Sequence, residues 1–354
     1  MRRSRLLARL DELTQPVDPA TRANMAARWA ELPEHIKTDA QALGRHGVGC
    51  EGTHGVFPRC NFACAPCYHS KDANKVRVDG PHTLREVEAQ MAFLEKTRGP
   101  RAHAQLIGGE VTLLPPADHG EALKIMRRHG REPMSLSHGD FDYEYLRDVV
   151  IDEQGNKRVP RISFAGHFDT TMRGRRGIRI PENEAALNPY RKQFCELFAR
   201  LRKEHGVRSF LAHNMTVTPS NVHSIPQLIQ ECRTMGFNMF SFQPAAFIGN
   251  ERRWKEAYRD LEPDFIWSKI EEGAGARLPY KVIQVGDLRC NRTAWGFYIG
   301  DQWHSILDEN DPLDLEARDV FLRDVGGVHF NAPLPLLVLR LLRLGIEKPH
   351  LVPL

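Results

Sequence analysis

The 354-residue sequence has no uninterrupted apolar run near the roughly eighteen residues that a membrane-spanning helix requires. Its start, Met1-Arg-Arg-Ser-Arg5, leads into an amphipathic segment and not into the apolar core of a secretory signal. Net charge is also small, since 49 Lys and Arg face 45 Asp and Glu, and a balance of +4 does not by itself favour nucleic acid. We therefore expect a cytoplasmic globular protein.

Cysteine is scarce, with seven residues in the chain. The odd total and the wide separation of Cys50, Cys195, Cys232 and Cys290 argue against a disulfide framework and fit a reducing compartment. The other three cysteines lie together in residues 60–67, with three and then two residues between them. Three thiolates on one loop suit zinc or an iron–sulfur cluster. A closed zinc site usually takes two separated pairs of ligands and the sequence has no second pair, so it favours a cluster with one open iron.

The spacing C-x3-C-x2-C, followed about forty residues later by Gly108-Gly109-Glu110, resembles the radical S-adenosylmethionine (radical SAM) superfamily over roughly residues 50 to 250. The motif Cys-Asn-Phe-x-Cys-x-Pro-Cys-Tyr is most similar to that of the branch of SPASM-type enzymes and archaeal tetraether lipid synthases. This resemblance implies one [4Fe-4S] cluster on Cys60, Cys64 and Cys67, with S-adenosylmethionine bound at the fourth iron. Electron transfer from a donor such as flavodoxin or ferredoxin would yield a 5′-deoxyadenosyl radical that abstracts hydrogen from a substrate.

The resemblance also suggests which residues bind the cofactor, although it identifies no catalytic residue. Two glycines at a strand end let the backbone approach a ligand, and the glutamate after them can bind the methionyl amine. Two serines match hydroxyl residues on the third and fourth strands of relatives, and one arginine of the basic segment 173–179 is expected to reach a carboxylate or phosphate. The expected cofactor-binding residues are Gly108, Gly109, Glu110, Ser137, Ser163 and Arg173.

The sequence alternates strand and helix patterns from residue 54 to residue 243. The predicted strands are 54–59, 104–107, 134–137, 161–165, 211–218 and 238–243, and the predicted helices are 82–98, 118–130, 142–151, 189–205 and 225–235. Because parallel strands need crossover helices, this alternation predicts an α/β fold with a parallel sheet. The family resemblance implies a partial (β/α)6 TIM-type barrel, open at one side.

Two extensions flank this predicted core. Residues 1–49 are expected to be a helical extension, with two short helices inside 20–44 separated at Pro33. Residues 50–250 form the radical SAM core, and residues 251–354 form a small α+β extension. In that last part we predict helices at 252–260 and 263–272, a hairpin at 295–307 and an apolar helix at 333–345. The apolar helix either caps the barrel or makes a peripheral membrane contact.

The alternative to an enzyme is a zinc-stabilised nucleic-acid-binding module without catalysis. It would use His69 or Cys50 as a fourth zinc ligand and the basic segment around Arg175 as its contact surface. No recognised nucleic-acid motif is present and no aromatic residues interleave the basic run, so the sequence favours the enzyme and no nucleic-acid partner. The substrate stays open between a lipid, a peptide and a small metabolite. Gln243-Pro244, which resembles a feature of the lipid synthase branch, favours lipid slightly.

Overall fold

Six parallel strands form one sheet in chain order, β1-β2-β3-β4-β5-β6. The computed structural model describes residues 2–53, 55–67, 72–99, 102–246, 261–328, 330 and 332–351, with backbone alone for 2–6. The strands are β1 Glu51–Gly52, β2 Ala102–Leu106, β3 Arg131–Ser137, β4 Arg161–His167, β5 Arg208–Val217 and β6 Met239–Pro244. The α/β class and the partial (β/α)6 barrel are therefore confirmed.

Helices connect the strands of the sheet and cover its outer face. These are α3 Gly80–Arg98, α4 Pro116–Arg128, α5 Tyr143–Val150, α6 Asn188–His205 and α7 Ile225–Cys232. Local signals set their ends. The carboxylates of Asp79 and Asp142 accept a backbone N–H at the starts of α3 and α5, and Gly206 ends α6 in the left-handed conformation. The predicted helices of this region are confirmed to within a few residues.

The main core lies between the sheet and these helices. Leu106, Phe164 and Met215 point from their strands toward the helices and are fully buried. Because side chains alternate along a strand, their neighbours lie on the opposite, concave face of the sheet. That face is open, since Phe210 is 41% exposed and Met239 is 39% exposed.

The first predicted strand is wrong. We expected a strand over residues 54–59, but β1 ends at Gly52 and residues 55–59 form a loop. The carbonyls of Phe57 and Arg59 accept hydrogen bonds from the turn after β2, and Pro58 between them has no N–H to donate. His54 lies outside the described residues.

The second helix expected in the N-terminal extension is also absent. Helices α1 Arg2–Thr14 and α2 Pro19–Glu31 are followed by a 3-10 turn at Glu34–Ile36. Beyond it the chain is extended, because the buried Gln41 side chain donates to the Ile36 and Gly286 carbonyls at 2.9 and 3.0 Å. The backbone of Gln41 also pairs with Gln284. Tertiary contacts with the far end of the chain thus replace a local helix.

The C-terminal extension contains α8 Pro263–Ala274, hairpin β7 Gly296–Ile299 and β8 Gln302–Ser305, α9 Pro312–Val320 and α10 Leu334–Glu347. The predictions of α8, the hairpin and α10 are confirmed, α9 and α1 were not predicted, and the helix expected at 252–260 lies outside the described residues. Helix α10 packs on α1, and the two chain ends share a small core of Val17, Met25, Val48, Val328 and Leu344.

A buried ion pair joins β1 to β3 at the amino ends of the strands. Arg131 donates from Nε to Glu51 Oε2 at 2.9 Å, and both side chains are inaccessible to solvent. Arg131 also donates to the carbonyls of Gly99 and His129, each at 2.7 Å. Burial raises the pKa of Glu51, and the Arg131 charge opposes that shift.

We expect Arg131→Met to lower the free energy of unfolding by about 3 kcal/mol or more, because it leaves the Glu51 carboxylate buried without its partner. Urea denaturation followed by circular dichroism measures this change. Arg128→Met is the control, since the Arg128 side chain is 54% exposed. Equal stability of the two variants would contradict the prediction.

Candidate functional site

The cysteine loop, residues 60–67, lies against the segments that follow β3 and β4. The Phe62 ring stacks on the His138 ring, with centroids 3.9 Å apart. The backbone N–H groups of Ala63 and Ala65 donate to the carbonyls of Arg173 and Thr171 at 2.9 and 3.1 Å. The loop therefore lies at the carboxyl edge of the sheet, where functional groups of parallel α/β proteins collect.

The Gly108-Gly109 pair after β2 fastens the start of this loop. Gly109 N donates to Phe57 O and Glu110 N donates to Arg59 O, both at 2.6 Å. A Cβ on Gly108 would lie 2.4 Å from Phe57 O, and one on Gly109 would lie 2.1 Å from Arg59 O. We expected glycine at these two positions to allow a ligand to approach the backbone. In the structure, glycine is required there because the chain's own backbone approaches closely.

Glu110 is 2% exposed, and its carboxylate accepts several hydrogen bonds. Its Oε1 accepts from Ser137 Oγ at 2.8 Å and from the Thr112 hydroxyl at 2.6 Å, while its Oε2 accepts from His138 N at 2.8 Å. The structure thus brings together Glu110 and Ser137, two of the residues expected to bind cofactor. Their bond joins the end of β2 to the end of β3.

Arg175 was overlooked as an individual site residue, and it is the buried member of the basic segment. It is 2% exposed, donates to the His138 carbonyl, and lies over the rings of Phe62 and Phe168 at 5.5 and 4.7 Å. Burial lowers the pKa of Arg175 to about 10. No pattern within residues 173–179 distinguishes this arginine, because its ring partners, Phe62 and Phe168, lie outside that segment.

Arg173, the arginine expected to reach a ligand, donates to the carbonyls of Thr170 and Met172 in its own loop. Its backbone takes part in the site, since the Arg173 N–H near the Cys64 sulfur lowers the pKa of that thiol. Ser163 lies in the middle of β4, four residues before the strand ends at His167, and pairs in register with Phe210. Neither side chain joins Glu110 and Ser137.

The three loop thiols are half-buried. Burial, with a smaller contribution from the charges of the other loop thiols, raises the pKa of Cys60 to about 11 and that of Cys64 to about 12. Backbone amides oppose this effect, and Phe62 N lies 3.3 Å from the Cys60 sulfur. Within the described ranges, no three His, Cys, Asp or Glu side chains converge as ligands of one metal ion.

The donor set nevertheless fits a sulfur-loving metal centre. Its three thiols lie close enough to repel one another when ionised, and a shared cation would remove that repulsion. Amide hydrogen bonds to sulfur are also a feature of iron–sulfur sites. Tyr68 and His69, which continue the motif, lie outside the described residues. His69 is also the residue that the zinc alternative would use as a fourth ligand.

A second polar group lies at the ends of β4 and β5. Asp169 is fully buried, accepts from His167 Nε2 at 2.6 Å and from Thr216 N at 2.8 Å, and raises the pKa of Cys64 by its charge. Burial would raise the pKa of Asp169, but His167 and the hydrogen bonds to its carboxylate lower it to about 2. Burial lowers the pKa of His167, but the Asp169 charge, the hydrogen bond to Asp169 and the Glu184 charge together raise it above its ordinary value. The side chain of His167 keeps 33% exposure, so its imidazole is accessible from the site.

Sequence analysis did not identify Asp169. A signal existed, because Asp169 is the second residue beyond the end of a strand whose carboxyl edge was expected to carry the site. In the fold, this carboxylate connects the exposed imidazole to the neighbouring strand.

No protein-family model and no curated protein matches the chain. Among solved structures, it is similar to anSMEcpe with bound AdoMet and a Cp18Cys peptide, with 14% identity over 62% of this chain and 57% of that chain, and a TM-score of 0.40. It is similar to TYW1 with a lysine-pyruvate adduct bound, with 12% identity over 72% of this chain and 82% of that chain, and a TM-score of 0.40. A GH5-4 endoglucanase from Clostridium longisporum shows 10% identity over 63% and 70% of the two chains, with a TM-score of 0.37.

The chain thus spans less than two thirds of anSMEcpe, the first of these structures. Likenesses at this level extend from proteins with bound AdoMet to an endoglucanase, so they do not choose a function.

We expect Gly109→Ala to destabilise the protein by about 2 kcal/mol, because its new Cβ would overlap the Arg59 carbonyl and displace the loop. Thermal unfolding measures the loss. Gly47→Ala is the matched control, since nothing lies within 4 Å of a Cβ added there. An unchanged melting temperature for Gly109→Ala would contradict the described contact.

Arg175→Leu is expected to loosen the cysteine loop, because it removes the hydrogen bond to the His138 carbonyl and the cation over the Phe62 ring. Hydrogen exchange of the Ala63 and Ala65 amides should then be about tenfold faster. The control is Arg176→Leu, whose parent side chain is 68% exposed and paired with Asp140. If the Ala63 and Ala65 amides exchange at the same rate in both variants, Arg175 does not hold the loop.

Proposed function

We propose that the chain is a radical SAM enzyme that cleaves S-adenosylmethionine and abstracts hydrogen from an organic substrate. One observation carries the proposal. Two motifs about forty residues apart in sequence, the cysteine loop and Gly108-Gly109-Glu110, are fastened to each other by paired backbone hydrogen bonds. They meet at the carboxyl edge of a partial (β/α)6 barrel. A zinc knuckle with an unrelated glycine turn would not require this contact.

Cys60, Cys64 and Cys67 would hold a single [4Fe-4S] cluster as thiolates. Bound there, such a cluster supplies the electron that splits S-adenosylmethionine into methionine and a 5′-deoxyadenosyl radical. The protein's own contribution is to orient the ligands and to donate hydrogen bonds to them. Backbone N–H groups of Phe62 and Arg173 point at sulfur atoms and stabilise their negative charge.

The residues around the loop would position the cofactor and exclude water from it. Arg175 and the Phe62–His138 stack hold the loop against the barrel. Glu110 and Ser137 fix the neighbouring turn, and the backbone edge of that turn is the expected neighbour of the methionyl group. A rigid edge of this kind keeps a bound ligand in one orientation, which a radical reaction needs to avoid side reactions.

We place the substrate on the concave face of the sheet. His167 offers a partly exposed imidazole there, while Phe210 and Met239 add exposed apolar surface toward the amino ends of β5 and β6. An apolar chain with an anionic group suits this combination, which favours a lipid over a peptide or a small metabolite. An electron donor such as flavodoxin or ferredoxin is required, and it would dock near the cysteine loop.

The basic segment gives little support to nucleic-acid binding. Arg175 is buried within the fold, Arg176 pairs with Asp140, and Arg173 is directed to its own loop. Three of the four arginines of the segment are thus engaged by neighbouring groups, and the fourth, Arg179, is exposed. A surface that binds phosphates needs free cations.

The test is anaerobic purification, reconstitution with iron and sulfide, and incubation with dithionite and S-adenosylmethionine. We expect about four irons per chain and formation of 5′-deoxyadenosine, measured by chromatography. Cys64→Ala should lose both, while Cys290→Ala, an exposed cysteine in the C-terminal extension, should keep both. Zinc in place of iron, with the cofactor uncleaved, would overturn the proposal and leave the metal-stabilised binding module.

A further inference from the structure

Helix α10 presents an apolar surface to solvent. Leu334, Leu342 and Ile346 are 72%, 60% and 79% exposed, and the exposed residues between them are also apolar. At 100° per residue, the exposed apolar side chains cover an arc of about 160°. Glu347, at the last position, is the exposed polar residue of this helix. A helix on the surface of a globular protein normally places charged side chains on that face.

The two arginines of α10 do not contribute to its outer surface. Arg340 is 5% exposed and donates to the Leu13 carbonyl at 3.1 Å. Arg343 donates to Asp11 Oδ1 at 2.9 Å and to Thr14 Oγ1 at 3.1 Å. Both therefore fasten α10 to the end of α1. The two arginines within the leucine-rich sequence therefore contact α1, whereas several of the leucines face solvent.

Helix α1, which packs on α10, adds exposed apolar residues and positive charge. Leu7 and Leu10 are 65% and 49% exposed. Helix α1 contains four arginines against two acidic residues, and all four arginines lie in the first nine residues of the sequence. One of the acidic residues, Asp11, is paired with Arg343. The α1–α10 face, defined by the exposed apolar residues of the two helices, thus lies beside an excess of cations.

We infer that the α1–α10 face binds the surface of a bilayer containing anionic lipids. A surface helix enters the headgroup region when it combines an apolar face with neighbouring Lys or Arg. Within the described ranges, no helix has the length and apolar content to cross a membrane, so this contact would lie in the plane of the bilayer. The inference is independent of the chemistry proposed for the cysteine loop.

A second copy of the chain fits this face less well. The 14 residues of α10 and the 13 of α1 are each about 20 Å long and about 10 Å wide, so together they offer about 400 Å². A stable dimer buries about 800 Å² on each partner. A symmetric contact would also bring the arginine-rich start of α1 toward its own copy. A bilayer needs no matching shape, and its anionic lipids complement the charge.

Sedimentation with vesicles tests the inference on the full chain. The probes are vesicles of phosphatidylcholine alone and with about 30% phosphatidylserine. We expect binding to the anionic vesicles, weakened by salt and by Arg9→Glu. Leu342→Glu and Ile346→Glu should each lower the partition coefficient about tenfold, because a charge replaces an apolar side chain that would be buried in the bilayer. Leu313→Glu is the control, since Leu313 is 72% exposed on α9 and is not part of this face.

Circular dichroism of each variant checks that the fold is retained, which substitutions at exposed positions should allow. Absence of sedimentation with anionic vesicles, or equal binding by the Leu342→Glu, Ile346→Glu and Leu313→Glu variants, would overturn the inference. Sedimentation equilibrium supplies a separate outcome. A dimer that Leu342→Glu dissociates would assign the face to a second copy and would also overturn it. Release of 5′-deoxyadenosine by vesicle-free protein should be unaffected by these substitutions, so the two proposals fail separately.

Discussion

Two backbone hydrogen bonds, from Gly109 and Glu110 to the carbonyls of Phe57 and Arg59, hold the cysteine loop against the sheet. They demand glycine at two positions, since any Cβ there would overlap a carbonyl oxygen. The turn that makes them is itself fixed, because the Glu110 carboxylate is anchored to the end of β3. The cysteine loop is thereby attached to the parallel sheet through the turn after β2. Precise placement of a reactive centre depends on such support.

Electrostatics at this edge follow from the same arrangement. Two buried carboxylates, Glu110 and Asp169, lie near the thiols, and their charges disfavour thiolates in the protein alone. The Asp169 carboxylate remains ionised, because His167 and hydrogen bonds that include one from Thr216 N lower its pKa to about 2. The site therefore has a deficit of positive charge that a metal centre and a sulfonium ligand would both offset. Arg175 and His167 provide part of that balance from the protein side.

The sequence predicted most of the repeating architecture, because hydrophobic periodicity, caps and glycine stops act within a few residues. It failed where the decisive partner is distant. Residues around Gln41 were predicted to be helical, but the Gln41 side chain bonds to the Gly286 carbonyl and no helix forms there. Residues 55–59 were predicted to form a strand, but they form a loop that bonds to the turn after β2. Within the site, composition located the basic segment but not its buried member. Choosing Arg175 over Arg173 requires knowledge of which rings fold over it.

The shared core of the two chain ends has a consequence for synthesis. Met25 and Val48 leave the ribosome roughly 300 residues before Val328 and Leu344, which bury them. The βα units between them can pair with their immediate neighbours as they appear. The segment around Met25 and Val48 cannot complete this packing until residues 328–344 have been synthesised, so it becomes native later than the βα units between them.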